Sequence, residues 1–392
     1  MPRKSTRNAQ GSGTIRQRPD GRWEARYTVG RDPGTGKQIQ RSVCGSTQKE
    51  VRQKLAQITA AIDTGTYKEP CKMTVGEWLD IWQRDYLGGV KPRTADSYRT
   101  MVEVHLKPAF GAVKLEALNP HTIQSLYNAL SRERDGKPGL SPKSVRNVHG
   151  VLHKALQQAV TIGYIKVNPS GACTLPRAER KEIHPLDEEQ ISAFLKAAEG
   201  HRYELLYIVA MFTGMREGEL LGLTWACVDF DKGVITISKQ LQKERRGSGA
   251  YHLVSPKNGK VRRITPAPSV MDALKAQHRQ QMEWRLKAGP MWEDTELVFT
   301  NELGHNLSAQ TVYLHFKKLA ERAGFPDARF HDLRHSYAVA ALQSGDDIKT
   351  VQENLGHHTA AFTLDVYGHV TEQMKQASVG RMERFIKGVS GL

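Results

Sequence analysis

Apolar positions recur along this chain with two different periods, and the change of period divides it. Over residues 14 to 44 they alternate with polar ones in short runs, Thr14–Arg18, Arg22–Val29 and Gln38–Val43. The turn sequences Pro19-Asp20-Gly21 and Asp32-Pro33-Gly34-Thr35-Gly36 separate the runs, which predicts a small antiparallel sheet of three strands. The period then lengthens. Val51, Leu55, Ile58 and Ile62 share one helical face, behind a capping box of Thr47 and Glu50, and Gly65 ends the helix.

From residue 73 to about 170 the pattern is helical throughout. Thr74 and Glu77 form a second capping box, followed by the stripe Val75, Trp78, Leu79 and Trp82. Further helices start near Pro92 and Pro120. Another starts at Ser141-Pro142 and runs through Val145, Val148, Leu152, Ala155 and Ala159 to Gly163. Residues 173 to 186 read as an extended charged linker with two prolines. Asp187 then caps a helix with Ile191, Phe194, Leu195 and Ala198 on one face. Gly233–Ser238, Tyr251–Val254 and Val261–Thr265 are strand-like, and helices return to the end, where Met374, Ala377, Val379, Met382, Phe385 and Ile386 predict an amphipathic tail helix.

The expected fold is therefore a multidomain α+β chain. Residues 1–67 form a three-stranded sheet plus helix, 73–172 a helical bundle, 173–186 a linker, and 187–392 a mainly helical domain with a small antiparallel sheet and the tail helix.

Charge narrows the function. The 392 residues carry a net +16, and residues 1–67 hold +8 of it, from thirteen basic and five acidic side chains. A polyanion is the first partner to expect, and nucleic acid the first polyanion. The basic N-terminus, read as a disordered tail, has no apolar core and so is no secretory signal, and no apolar run is long enough to span a membrane. Cys44, Cys71, Cys173 and Cys227 form no CxxC pair, which fits a reducing compartment and neither a zinc ribbon nor a disulfide framework. Arg16, Arg18, Arg22, Arg26 and Arg41 on the predicted strands either lay the sheet into a DNA groove or simply meet water. Lys91, Arg93, Lys143 and Arg146 stand at helix starts, where they either help a helix N-terminus hold phosphate or form a solvated rim.

Four pieces of the last domain share a chemical theme. Thr213-Gly214-Met215-Arg216-Glu217-Gly218-Glu219-Leu220 places Arg216 in the first turn of a helix, suited to forking onto phosphate, with Glu219 three residues on to hold it. In Ser255-Pro256-Lys257-Asn258-Gly259-Lys260 the Asn-Gly pair predicts a tight hairpin with Lys257 at the tip of a β-ribbon. His331-Asp332-Leu333-Arg334-His335 puts His331 and Arg334 on one helical face; His331 and His335 are also at metal-ligand spacing, with no obvious carboxylate or cysteine to complete a set. Leu355-Gly356-His357-His358 precedes Asp365-Val366-Tyr367-Gly368-His369. Together they supply two arginines, a lysine, histidines and a tyrosine, without a carboxylate pair or a metal-ligand set. That inventory suits phosphoryl transfer in which arginines take the place of a metal ion and a tyrosine is the nucleophile.

The order TGMREGEL, PKNGKVRRI, HDLRH, LGHH, DVYGHV resembles the tyrosine recombinases, most closely the integrases of conjugative transposons. The resemblance covers residues 187 to about 385. It implies catalytic roles for Arg216, Lys257, His331, Arg334, His357 and Tyr367, with no metal and no cofactor, in a site-specific recombinase that integrates and excises a mobile element. It further implies an arm-type DNA-binding domain at 1–67 and a core-site-binding domain at 73–172. Four protomers would act on double-stranded DNA through a Holliday junction in a bacterial cytoplasm, with an excisionase or a host DNA-bending protein as accessory partners. His358 beside His357 leaves open which one meets the phosphate. Two other readings remain: a type IB topoisomerase, which uses nearly the same residues on one duplex, and a DNA-binding regulator without enzymatic activity.

Overall fold

The computed structural model describes residues 14–65, 67, 72–133, 136, 138–179, 184–244, 250–256, 259–357, 359, 364, 379–380 and 382–389. Expectations for Cys71, Lys257, His358, Tyr367, Met374, Ala377 and the first thirteen residues lie outside these. The chain divides into two compact units, Met1–Ala178 and Glu179–Leu392.

In the first unit, β1 (Thr14–Gln17), β2 (Trp23–Arg31) and β3 (Gln38–Gly45) form an antiparallel sheet in the order β1-β2-β3. Alternation sends Ala25 and Tyr27 inward, where they pack with Val51 and Leu55 of α1 (Gln48–Asp63). Only part of the expected capping box forms. Thr47 accepts from the Glu50 N–H, but the Glu50 carboxylate accepts from Ser46 and Lys54 instead of the Thr47 backbone. Two of the arginines expected on the strands are not there: Arg18 and Arg22 flank the first turn, where the Arg18 N–H donates to the Arg22 carbonyl. Arg41 pairs with Tyr27 in the ladder, so its parity is that of the helix-facing side. Arg16 and Arg26 share the outer side with Glu24, which ion-pairs with Arg16 at 2.7 Å.

The helical part of this unit holds α2 (Val75–Asp85), α3 (Pro92–Met101), α4 (Lys107–Phe110), α5 (Pro120–Ser131) and α6 (Pro142–Thr161). Val75, Trp78, Leu79 and Trp82 are buried as the stripe requires, and Trp78 donates its indole N–H to the Ala155 carbonyl of α6. Both halves of the Thr74–Glu77 capping box are made. Between α3 and α4, Val102–Leu106 winds as a π segment, which the sequence reading did not anticipate. Pro108 follows two residues after it; a proline in an α-helix clashes with the carbonyl four residues back, here that of Val104 within the π segment, and the wider turn eases that clash.

The described residues of 173–186 are held on both sides of 180–183. Thr174 and Pro176 hydrogen-bond to Gln124 and Arg146 of the first unit, and Leu186 is buried in the core of the second, its N–H donating to Ser336 Oγ at 2.8 Å. The second unit contains α7 (Glu188–Ala198), α8 (Glu204–Thr213), α9 (Glu217–Leu221), α10 (Pro268–Ala288), α11 (Ala309–Arg322), α12 (Phe330–Gln343) and α13 (Ile348–Leu355). Its strands are β4 (Val228–Asp229), β5 (Val234–Ile237), β6 (Gln240–Lys243), β7 (Tyr251–Val254) and β8 (Arg262–Ile264).

Here the expected β-ribbon fails. β7 pairs with β6, and β8 pairs with β5 in the order β4-β5-β8, so the strands either side of Lys257 lie in different sheets. Seven residues connect them, with Gly259 closing a turn onto the Pro256 carbonyl, so Asn-Gly is not a two-residue hairpin loop. The tail is helical over 382–389, where Met382, Phe385 and Ile386 are exposed, as is Val379. Among the described residues no helix is long and apolar enough to cross a membrane.

Candidate active site

The end of α13 organises the second unit's chemistry. Asp347 caps its start, accepting from the Lys349 and Thr350 N–H groups, and left-handed Gly356 (φ +62°) turns the chain out of its other end. Three successive carbonyls there would lack intrahelical partners. Each takes an arginine. Arg262 Nε–H donates to the Asn354 carbonyl at 2.8 Å, Arg334 Nη2–H to Leu355 at 2.6 Å and Arg216 Nη2–H to Gly356 at 3.2 Å. The negative end of the helix dipole adds to the attraction.

Each arginine arrives by a different route. Arg334 lies in α12 and is 3% exposed; its other arm donates to the Gly214 carbonyl at 2.5 Å. Gly214 (φ +61°) ends α8, and a Cβ there would stand 2.4 Å from the Tyr337 ring, so only glycine permits both the turn and the packing. That contact, with Asn354 donating to its hydroxyl, makes Tyr337 a half-buried packing group. Arg216 sits one position earlier than expected: it is the N-cap of α9 with extended backbone, and its N–H is taken by the Glu219 carboxylate and so is not turned outward to a phosphate.

Glu219 is the junction. Its buried carboxylate receives four hydrogen bonds, from Arg216 Nη1–H (2.7 Å), the Arg216 N–H (3.0 Å), Arg262 Nη1–H (3.0 Å) and Arg262 Nη2–H (2.6 Å). Burial alone would raise its pKa. The hydrogen bonds and charge of Arg262, then those of Arg216, overcome that and hold it down at about 2. Arg262 was not among the residues singled out from the sequence. Beside Arg216, Glu217 has a buried Oε1 without a hydrogen-bond partner, and burial pushes its carboxyl up to about 7.

Three histidines complete the cluster. Burial, then the charge of Arg334 and Arg216, lowers His357 to about 3. Burial, then His331, lowers His335 to about 4. His331 keeps solvent access, yet the protein around it and Arg334 lower it too. Its ring meets His335 edge to face at 4.9 Å, and among the described residues no group of three His, Cys, Asp or Glu is placed to hold a metal ion. Burial first, and then the neighbouring positive charge, keeps the imidazoles neutral, and the arginines leave the site short of negative charge, which a phosphodiester can supply.

Thus Arg216, Glu219, His331, Arg334 and His357 come together. Lys257 and Tyr367 fall outside the described residues. Lys91, Arg93, Lys143 and Arg146 are exposed at the starts of α3 and α6 in the first unit.

Residues 184–374 match the phage integrase family, and residues 74–131 match the phage integrase N-terminal SAM-like domain. A tyrosine recombinase XerC-like protein of Caldanaerobacter subterraneus subsp. tengcongensis is 31% identical over 373 residues, which is 90% of this chain and 93% of that protein. The chain belongs to the phage integrase family of tyrosine recombinases. It is a site-specific DNA recombinase. Solved structures share this recombinase's fold. The Tn1549 transposon integrase in complex with transposon right end DNA superposes with a TM-score of 0.67 at 23% identity, covering 79% of this chain and all of that one. The lambda integrase tetramer bound to a Holliday junction gives 0.55 at 19% identity, over 93% and 97% of the two chains.

Proposed function

We propose that this recombinase cuts DNA by attack of the Tyr367 hydroxyl on the scissile phosphate. The phenolic oxygen forms a bond to phosphorus, the 5′-oxygen leaves, and a 3′-phosphotyrosyl link with a free 5′-hydroxyl results. Arg216 and Arg334 hold the non-bridging oxygens, where their charge is worth most as negative charge develops. Lys257 gives the leaving oxygen its proton, and His331 takes or shares the proton of the phenol. His357, next to the Gly356 carbonyl that orients Arg216, adds a hydrogen bond to the phosphate. The tyrosyl ester conserves the energy of the broken bond, so attack by a 5′-hydroxyl of the partner duplex reseals the strand without a nucleotide cofactor.

What supports this reading above all is the convergence of Arg216, Arg334 and His357 on the last residues of α13, twelve or fewer residues before Tyr367. In the same reading residues 1–67 bind arm sites, 73–172 grip the core site, and four protomers exchange strands through a Holliday junction in the bacterial cytoplasm. An excisionase or a host DNA-bending protein sets the direction.

The test begins by sequencing the circle junctions formed in cells that express the full chain beside its element. A nicked duplex of the junction sequence, whose short 5′ fragment diffuses away after cleavage, should then trap a covalent protein–DNA complex. Relaxation of supercoiled DNA of any sequence would point to topoisomerase chemistry, and specific binding without an adduct to a regulator.

A further inference from the structure

Of the three arginines on the α13 carbonyls, Arg262 is the one whose guanidinium joins both oxygens of the Glu219 carboxylate to the end of that helix. Arg262 commits Nη1–H and Nη2–H to Glu219 and Nε–H to Asn354, and its side chain is 10% exposed. Its Cδ and Nη1 also press on Gly356, 3.1 Å from where a Cβ would stand. It therefore touches both supports of the phosphate-facing groups. One is the carboxylate that aims Arg216; the other is the helix end that presents the Gly356 carbonyl and His357.

We infer that Arg262 is a positioning residue for strand cleavage, setting the direction of Arg216 through Glu219 and the place of His357 through the end of α13. The inference rests on the reading of Arg216 and His357 as phosphate ligands. Without Arg262, the buried Glu219 carboxylate keeps a single cationic partner. The Arg216 fork then turns to take both oxygens, and its N–H groups leave the phosphate side. The Asn354 carbonyl loses its donor at the same time. A lysine cannot replace the fork: one ammonium point charge does not span two carboxylate oxygens and a carbonyl.

The substitutions Arg262→Gln and Arg262→Lys, each in the full chain, should slow single-turnover cleavage of the nicked duplex by about 10²-fold, the scale of a 1 Å misplacement. DNA affinity should change only a few-fold. The double variant Arg262→Gln/Glu219→Gln should cleave faster than Arg262→Gln alone, because a neutral amide no longer draws Arg216 away. A second readout needs neither DNA nor activity. In histidine-labelled protein, the His357 imidazole should titrate higher in both Arg262 variants than in the unsubstituted chain, as Arg216 moves off. Melting curves identify a variant that has lost its fold, and the other substitution then carries the measurement. Cleavage at the unsubstituted rate, or an unmoved His357 titration in a folded variant, overturns the inference. If the unsubstituted chain forms no adduct at all, the tyrosine reading fails instead, and the His357 titration still decides the role of Arg262.

Discussion

The sheet of the first unit and the cluster of the second both carry arginines, and they use them in opposite ways. Arg16 and Arg26 are 57% and 52% exposed in their side chains, and both ion-pair with Glu24. Arg334 is buried, the side chains of Arg262 and Arg216 are 10% and 22% exposed, and every one of the three is hydrogen-bonded to a carbonyl at the end of α13. An exposed, screened charge contributes affinity that falls with salt and little that depends on its position. A buried guanidinium with several acceptors has one orientation, and moving it costs both stability and rate.

The largest test of that contrast separates chemistry from affinity altogether. Tyr367→Phe should abolish the covalent adduct while specific DNA binding, read by mobility shift, stays near normal, since only the attacking oxygen is gone. An adduct in this variant would send the nucleophile elsewhere. Next in size, Arg334→Ala should lower cleavage by about 10³-fold or more and also cost about 3 kcal/mol of stability, because it leaves the Gly214 and Leu355 carbonyls without donors. An unchanged melting temperature would mean that the cluster does not depend on its arginines for structure.

A third test uses pH. Glu217 is held near 7 by burial, above its unfolded value of 4.5, so the native state binds the extra proton. Its contribution to stability is complete below about pH 4.5 and is lost as pH rises through 7. Glu217→Gln removes the titration. The variant should therefore gain on the parent by about 2 kcal/mol at pH 8 relative to pH 5 in urea unfolding; equal slopes would place the carboxyl in water. The smallest effect belongs to the sheet. Arg26→Ala should weaken DNA binding by less than about tenfold and reduce the salt slope by about one, with the cleavage rate at saturating protein unmoved. A slower cleavage step would show that the sheet positions as well as attracts.

Much of this was legible because local chemistry and tertiary packing agree. Thr74 with Glu77, and the stripe from Val75 to Trp82, mark a helix by its cap and its buried face together. The misses are places where a partner far along the chain decides. β6 has one apolar residue, Leu241, and becomes a strand because β7 pairs with it. Glu50 found a nearer pair of donors in Ser46 than in Thr47. Arg262 carried a usable signal that went unread. On a strand, residues two apart share a face, and Ile264 is an obvious core residue, so Arg262 rather than Arg263 had to point inward. What no local pattern announces is that Glu219 waits for it there.

The π segment before Pro108 has a consequence for how this chain tolerates insertions and deletions. Such a turn is an α-helix holding one residue more than its neighbours need. Removing a single residue from Val102–Leu106 would restore uniform winding and leave the half of the helix before it close to its present register, whereas the same deletion between Ala95 and Met101 would rotate the start of α3 by about 100° relative to Phe110, one residue's share of a turn. After that second deletion Ala95 would leave the core, and Lys91 and Arg93 would swing to another side of the helix. Here the place of a deletion, and not only its size, decides which way the basic side chains at the start of α3 face.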